Sequence, residues 1–202
     1  MPVPKKITNY LDKQGAKYAI VTHKKVYTAY DAAQTMRKKL EEIVKNLLIQ
    51  TEKGFVVVVL PASKNISLSK LKKIMNAHGK GVKKVEIPKE GVMVRLFKVK
   101  PGALPAFGSL HKLEVYMDKS LQKVKKAVFS SGSFTESIEM AIKEFEKLEK
   151  PIVGIFSEVK KIKKQIQKKP KRTKKPAKKK TSKRKPAVRK TTKKAKKTTK
   201  KK

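Results

Sequence analysis

The stretch F-V-V-V-V-L at residues 55–60 predicts the centre of the fold. Its consecutive valines disfavour a helix, because branched side chains lose rotamer freedom against the preceding helical turn. The run is apolar throughout and follows Gly54, so it is typical of a strand that is buried on both faces. We therefore predict a sheet with apolar layers on both sides of this strand.

Short strands and helices flank this run on both sides. Further strands are predicted where apolar residues alternate or cluster, at residues 18–22, 44–50, 82–87, 92–99, 113–117 and 127–129. Helices are predicted from apolar spacing and capping signals, namely after Pro4, after the T-A-Y-D box that begins at Thr28, at residues 67–77, and after the S-F-T-E box at residues 133–136. This mixture indicates an α/β (α+β) domain with a mixed sheet and surrounding helices.

The C-terminal part of the chain has a different composition. Residues 159–202 contain 25 of the 55 Lys and Arg residues and no acidic residue, with almost no apolar side chain after Ile166. Such a segment cannot bury enough surface to offset the entropy cost of ordering it, so we predict a disordered polycation. Residues 1–158 have the size of a single domain.

Composition also disfavours several classes of protein. The chain has no cysteine, which excludes disulfides and thiolate metal sites and is compatible with a reducing compartment. The N-terminus has no apolar stretch of signal-peptide length, and the longest apolar run, 55–62, is shorter than the roughly 20 residues of a membrane-spanning helix. We expect a cytoplasmic protein, with nucleoid association as an alternative, and no membrane partner.

Common catalytic and cofactor-binding patterns are missing from the sequence. It contains no P-loop, no G-x-G-x-x-G, no G-x-S-x-G and no H-x-x-x-H pair, and its three histidines lie far apart, so we expect no cofactor and no metal. The most unusual segment is P-G-A-L-P-A-F-G at residues 101–108. Its glycines permit unusual backbone angles and its prolines stiffen the chain. It is either a rigid turn between strands or a preorganised wall against a small ligand.

This segment and three others resemble the YbaK/prolyl-tRNA-synthetase-associated domain family, whose members are aminoacyl-tRNA editing domains, some of them free-standing. KPGALPAFGSLHKLEVYMDKSL resembles the family pattern G-A-x-P-P-F-G-x-L-Y-x-x-P-V-Y-x-D-x-x-L. THKKVYTAYDAA, IVKNLLIQ and VFSSGSFTESIEMAIKEFEKLEKP resemble three further family segments, in the family's order. The resemblance covers roughly residues 5–156.

The resemblance implies hydrolysis of the ester that joins a wrong, small amino acid to the 3′ end of tRNA. The family's active-site lysine falls on Lys45, which would act as a fixed cation; the alternative is a surface lysine. Gly132 is a second catalytic candidate through backbone donors at a helix N-terminus, or it merely caps that helix. The residues implied to bind the substrate are His23, Thr28, Gly102, Ala103, Leu104, Pro105, Ser131 and Ser133. The implied partner is tRNA, and the oligomeric state stays open.

The sequence departs from the family pattern at positions that bear on activity. Ala106 stands where the family has the second proline of the loop. S-S-G-S-F at residues 130–134 stands where the family has N-A-G-T-H, so a histidine and an amide are lost. These changes favour the alternative of a non-catalytic tRNA- or DNA-binding protein, or a nucleoid-associated protein, built on the editing fold.

The tail resembles the Lys/Ala/Pro-rich tails of linker histones and bacterial histone-like proteins. It has no aromatic residue to stack on bases, so we expect phosphate binding without sequence preference that weakens steeply with salt. In the editing interpretation, the tail tethers tRNA and raises its local concentration around the site. DNA, ribosomal RNA or an acidic surface is the alternative partner.

Overall fold

The computed structural model of the protein describes residues 2–99 and 102–159. The strands in these ranges are β1 (Tyr18–Thr22), β2 (Val44–Thr51), β3 (Gly54–Pro61), β4 (Lys64–Ile66), β5 (Val85–Glu86), β6 (Val115–Asp118), β7 (Lys126–Ser130), β8 (Glu136–Ala141), β9 (Ile152–Gly154) and β10 (Ser157–Val159). The helices are α1 (Lys5–Lys13), α2 (Ala29–Thr35), α3 (Leu68–Ala77), α4 (Glu90–Phe97) and α5 (Ile142–Glu149). Apart from Val159, the predicted tail lies outside the described residues.

The central sheet contains five strands in the order β5-β2-β3-β6-β9. Strands β2 and β3 are antiparallel, whereas β3 pairs with β6 and β6 with β9 in parallel, so the predicted mixed sheet is confirmed. Strand β3 is buried on both faces, as its sequence predicts. Val57 and Val59 belong to the larger apolar cluster on one face, and Val58 and Leu60 belong to a second cluster on the other.

A second, antiparallel sheet has the strand order β1-β8-β7. Strand β7 meets the start of β2, where the Val128 N–H group donates to the Glu42 carbonyl at 2.7 Å and Ile43 forms a parallel bridge to Val128. On the same strand, the Phe129 ring stacks on Phe145 of α5 with 4.5 Å between ring centroids. The larger apolar cluster therefore joins both sheets to helices α1 and α5.

The Gly/Pro-rich loop forms part of this cluster rather than a surface turn. Leu104, Ala106 and Phe107 are at most 4% exposed. The Phe107 ring lies 6.4 Å from the Phe129 ring and 6.2 Å from the Phe145 ring, measured between centroids. Because its side chains fill the core, packing holds the described part of this loop against the central sheet.

One predicted strand is a helix. The apolar pattern at residues 92–99 predicts a strand, but this part of the chain forms α4. Val92, Met93 and Phe97 have helical spacing and all pack against the larger cluster, whereas an extended chain would send alternate side chains to opposite faces. The strand prediction was wrong because contact with the core outweighs the β-propensity of valine. The strand predicted at residues 82–87 is reduced to the two residues of β5.

The S-F-T-E box at residues 133–136 does not begin a helix. Strand β8 starts at Glu136, and α5 starts only after β8 ends. A capping box requires the Glu136 carboxylate to bond back to the Ser133 N–H group, but it accepts a hydrogen bond from the Val3 N–H group at 2.7 Å instead. The Ser133 hydroxyl accepts from two N–H groups of the same turn, at 3.1 and 3.2 Å. Gly132 therefore precedes a strand, and the predicted helix N-terminus beside it was wrong.

Candidate functional site

A largely apolar cleft of about 470 Å³ opens beside the first half of β2, and we call it the β2 cleft. It is bordered by α2 and the residues before it, by β2, by the approach to α4, by the turn at residues 102–104 and by the connection between β7 and β8. This volume falls within the roughly 300–1,000 Å³ that is usual for small-ligand and cofactor sites.

The β2 cleft exists because one edge of β2 is only partly covered. Strand β2 pairs with β3 along its whole length, but on the other side it pairs with β5 only at Gln50 and Thr51. Consecutive residues, 43–48, all border the cleft. A strand face would contribute every second residue, so the cleft wall is the edge of the strand.

Two residues of this edge direct their backbone polar groups toward the cleft. The Val57 N–H group of β3 donates away from β2, to the Glu114 carbonyl at 2.9 Å. Leu48 lies opposite Val57, so both occupy a non-hydrogen-bonded position of the β2–β3 ladder. Because orientation alternates along a strand, the N–H and C=O groups of Leu48 and of Asn46 point to the open edge. The β2 cleft therefore has backbone donors and acceptors beside its apolar side chains.

Half of the predicted site residues border the β2 cleft, namely Thr28, Lys45, Gly102, Leu104 and Ser133. Thr28 is placed by local sequence, because its hydroxyl accepts from the Asp31 N–H group and the Asp31 carboxylate accepts from the Thr28 N–H group, both at 3.1 Å. The predicted capping box at the start of α2 is confirmed. Lys45 is placed by the sheet, in the part of β2 that β5 leaves uncovered and opposite Leu60 of β3.

The other half do not border the cleft, namely His23, Ala103, Pro105, Ser131 and Gly132. The His23 Nε2 atom lies 2.9 Å from the hydroxyl oxygen of Ser137, which does border the cleft, so His23 contacts the wall through Ser137. Ser131 is fully buried, and its hydroxyl donates to the Glu136 carbonyl at 2.7 Å. The side chains of Ala103 and Pro105, in the Gly/Pro-rich loop, are buried as well.

Gly102 occupies a position that only glycine fits without strain. Its φ angle is +88°, in the left-handed region that other residues rarely adopt. A Cβ atom at this position would lie 3.0 Å from the Tyr27 carbonyl oxygen. The absence of a side chain thus lets the 102–104 turn approach the segment before α2 closely.

Asn46 is a site residue that the sequence interpretation missed. Its Nδ2 atom donates to the Leu104 carbonyl at 2.8 Å and so joins β2 to the 102–104 turn. Its Oδ1 atom is buried and has no hydrogen-bond partner in the described part of the chain. A buried acceptor without a partner is uncommon and points to a functional or strained position. An asparagine next to Lys45 in an otherwise apolar strand is the signal that could have identified it.

The largest pKa shifts around the core lie outside the cleft. Burial, together with the negative charge of Glu149, raises the pKa of Tyr10 to about 12. The Tyr10 hydroxyl donates to the Glu149 carboxylate at 2.9 Å, and the Ser109 N–H group donates to the same carboxylate at 3.0 Å. This buried group connects α1, α5 and the end of the Gly/Pro-rich loop, and neither Tyr10 nor Glu149 borders the β2 cleft.

The described residues contain neither a metal-binding cluster nor a membrane-spanning helix. His, Asp and Glu side chains form no group of three that could hold a metal ion in residues 2–99 and 102–159. Over the same ranges, every helix is too short or too polar to cross a membrane.

Comparison with known proteins identifies relatives of this chain. A family model described as an aminoacyl-tRNA editing domain matches residues 23–148, which include all the predicted site residues. Proline–tRNA ligase of Staphylococcus saprophyticus subsp. saprophyticus is 28% identical over 108 residues, which are 53% of this chain and 18% of the ligase. The chain therefore spans about a fifth of that relative's length.

Two crystal structures share the fold at low sequence identity. One is described as a hypothetical protein, with a TM-score of 0.69, 21% identity, and coverage of 76% of this chain and 99% of that chain. The other is described as a candidate trans-editing enzyme for prolyl-tRNA synthetase, with a TM-score of 0.67, 21% identity, and coverage of 78% of this chain and 98% of that chain.

Proposed function

Because the chain belongs to the aminoacyl-tRNA editing domain family, we propose that it hydrolyses the ester between a small, wrongly attached amino acid and the 3′ end of a tRNA. The observation that carries this proposal is the meeting of Lys45 and the 102–104 turn in one cleft. A cation and a backbone wall that border the same small cleft are suited to holding one aminoacyl group.

The cleft lining favours an apolar amino acid. Its inner part contains Ala32, Met36, Ile43 and Val128, which also form a separate apolar cluster between α2 and the start of β2. A charged side chain would lose its hydration against these apolar side chains. Gly102 and Leu104 also border the cleft and limit its space.

The reaction requires little chemistry from the protein. Water attacks the ester carbonyl carbon, the carbon–oxygen bond to the ribose breaks, and the ribose oxygen takes a proton. The Lys45 ammonium group would hold the carbonyl oxygen or the phosphate of the terminal nucleotide, and the neighbouring ribose hydroxyl can assist the attack. Positioning and charge stabilisation of this kind account for much of the rate in many enzymes.

The edge of β2 offers the donors for the oxyanion that Gly132 was expected to supply. The N–H groups of Asn46 and Leu48 point toward the cleft beside Lys45. Backbone donors are already ordered in a strand, so they need not reorganise when negative charge develops on the carbonyl oxygen. In this proposal Gly132 acts only through the turn that it forms.

A deacylation assay against a panel of mischarged tRNAs tests the proposal. Lys45→Ala should abolish turnover of the substrate that the wild-type protein prefers. Lys119→Ala is the matched control, because this exposed lysine lies away from the cleft, and it should retain wild-type turnover. Equal turnover by wild type and Lys45→Ala would refute the role of Lys45.

A second candidate function is tRNA binding without catalysis. Two positions that depart from the family pattern, Ser130 and Phe134, border the β2 cleft, so they alter its wall directly. Tight binding of tRNA with no turnover of any mischarged tRNA would favour this function over the hydrolase.

The tail is proposed to serve the same site as a tether. Residues 160–202 carry all 25 Lys and Arg residues of the tail and would hold tRNA through its phosphates, which increases the concentration of the 3′ end near the cleft. DNA and ribosomal RNA are competing polyanions for the tail.

A further inference from the structure

The exposed aromatic side chains of this protein are concentrated at the β2 cleft. The chain has seven Phe and five Tyr residues, all within the described ranges, and two of them are exposed. These are Tyr27 and Tyr30, with 58% and 56% of their surface accessible, and both border the cleft. Aromatic rings bury large apolar areas when they can, so two exposed rings at the mouth of one cleft suggest a ligand that covers them.

The Tyr27 ring is held in place by its neighbours. The Lys25 Nζ atom lies 5.1 Å from the ring centroid, and the Phe134 ring lies 5.3 Å away at an angle of 51°. The backbone is fixed too, because the Val26 N–H group donates to the Phe134 carbonyl at 3.0 Å. The ring therefore keeps its orientation although more than half of it faces solvent.

Tyr30 presents its ring from the first turn of α2. The capping box formed by Thr28 and Asp31 fixes the start of this helix, and the Tyr30 hydroxyl accepts a hydrogen bond from the Gln34 Nε2 atom at 3.1 Å. Tyr27 lies just before this helix, and both Tyr27 and Tyr30 border the β2 cleft. Ile87 also borders the cleft and is 55% exposed.

The surrounding charge selects the ligand. Lys25 lies over one of the rings, Lys45 borders the cleft, and residues 1–158 carry twice as many basic as acidic side chains. A nucleic acid supplies both required features, flat bases for the rings and phosphates for the lysines. The bases must be unpaired to expose their faces, so a double-stranded stem does not fit this surface.

We propose that Tyr27 and Tyr30 form a stacking platform for the unpaired nucleotides at the 3′ end of an RNA, next to the nucleotide whose sugar enters the β2 cleft. This inference rests on the proposed function for the identity of the RNA end, and it adds the residues that hold the nucleotides preceding the aminoacylated one. The stacking energy helps to keep the ester beside Lys45.

The test measures binding of two uncharged RNA hairpins to the full-length protein, one with a single-stranded A-C-C-A 3′ end and one with a blunt end. High salt suppresses phosphate binding by the tail. Tyr30→Leu and Tyr27→Leu should each weaken binding of the overhang hairpin by roughly 5- to 100-fold, which corresponds to one lost base–aromatic stack. Binding of the blunt hairpin should not change.

Two control variants separate stacking from other effects. Tyr30→Phe keeps the ring and removes only the hydroxyl that bonds to Gln34, so it should bind the overhang hairpin like wild type. Ile155→Ala removes an apolar side chain that is 65% exposed and lies outside the cleft, and it should also have no effect. The chain has no tryptophan, so quenching of tyrosine fluorescence by the overhang that is lost in Tyr27→Leu or Tyr30→Leu gives a second readout of stacking.

The outcomes distinguish this inference from the proposed function. Wild-type affinity of both leucine variants for the overhang hairpin, or equal losses for the overhang and blunt hairpins, would overturn the platform even if the protein deacylates tRNA. Ring-dependent binding of the overhang in a protein that deacylates no mischarged tRNA would support the platform and reject the hydrolase.

Discussion

Replacing Asn46 with leucine should separate the stability of the protein from its activity. Asn46 joins β2 to the 102–104 turn through its Nδ2 atom, which donates to the Leu104 carbonyl at 2.8 Å. The same side chain keeps its Oδ1 atom buried without a hydrogen-bond partner in the described residues. Leucine has a similar shape, so Asn46→Leu removes both the hydrogen bond and the unpaired acceptor without leaving a large cavity.

The two effects on the free energy of unfolding oppose each other. Loss of the donor leaves the Leu104 carbonyl unpaired in a residue that is 4% exposed, which costs about 1–3 kcal/mol. Removal of the unpaired Oδ1 atom returns about 1–3 kcal/mol by the same reasoning. We therefore expect Asn46→Leu to change the free energy of unfolding by less than about 1 kcal/mol. Asn46→Asp should destabilise by more than that, because a carboxylate repels the carbonyl and donates nothing to it.

Activity should follow a different course from stability. Without the Asn46 hydrogen bond, the 102–104 turn is no longer held against β2, and misplacement of a positioning wall by about 1 Å can reduce the rate roughly 100-fold. Urea unfolding measures the free energy of unfolding, and deacylation of the preferred mischarged tRNA measures the activity. The reasoning is refuted if Asn46→Leu unfolds more easily by several kcal/mol, or if it is as active as wild type.

Three further predictions concern the turn, the core and the tail. Gly102→Ala should destabilise by about 1–3 kcal/mol, measured by urea unfolding, since it combines a left-handed φ angle with a Cβ atom 3.0 Å from the Tyr27 carbonyl; no measurable change would contradict the turn geometry. Asp118 is 1% exposed, and this burial, which is the largest influence, raises its pKa. Hydrogen bonds from Ser120 and from the start of β10 together outweigh burial, so the pKa of Asp118 is lowered from 3.8. The stabilisation that ionised Asp118 provides should therefore be complete above pH 3.8 and lost as the pH falls through the lower folded-state pKa. Asp118→Asn should be about 2–3 kcal/mol less stable at neutral pH. Urea unfolding at several pH values should show that the stability of this variant depends less on acid over this range than that of wild type. Deletion of residues 160–202, which leaves β10 complete, should weaken tRNA binding and flatten its salt dependence in a titration at increasing salt; an unchanged binding curve would rule out the tether.

Elements with local sequence signals were predicted correctly. The valine run at residues 55–60 is a strand buried on both faces, and Thr28 forms the capping box at the start of α2. Both preferences arise within a few residues. In the valine run, branched side chains favour the strand, and at Thr28 the side chain accepts a hydrogen bond from the first turn of its own helix. Such local preferences agree with the tertiary structure, and they can be recognised without it.

Two predictions failed because distant contacts override local patterns. Residues 92–99 form a helix since Val92 and Met93 contact the same apolar cluster, and residues 136–141 form a strand since they pair with both β1 and β7. The Glu136 carboxylate bonds to the Val3 N–H group, a partner more than a hundred residues away in the chain. No local window of sequence contains that partner.

The sequence alone determined the family, the mixed α/β fold and the concentration of positive charge after residue 158, because each of these depends on composition or on residues that are neighbours in the chain. Only the tertiary structure decided which side chains border the cleft. Lys45 and Gly102 meet because the edge of β2 is left uncovered between β5 and β7, and Asn46 and the tyrosines before and within α2 join them there. Pairing between strands and packing between layers bring together segments that are far apart along the chain, and that arrangement is a property of the whole fold.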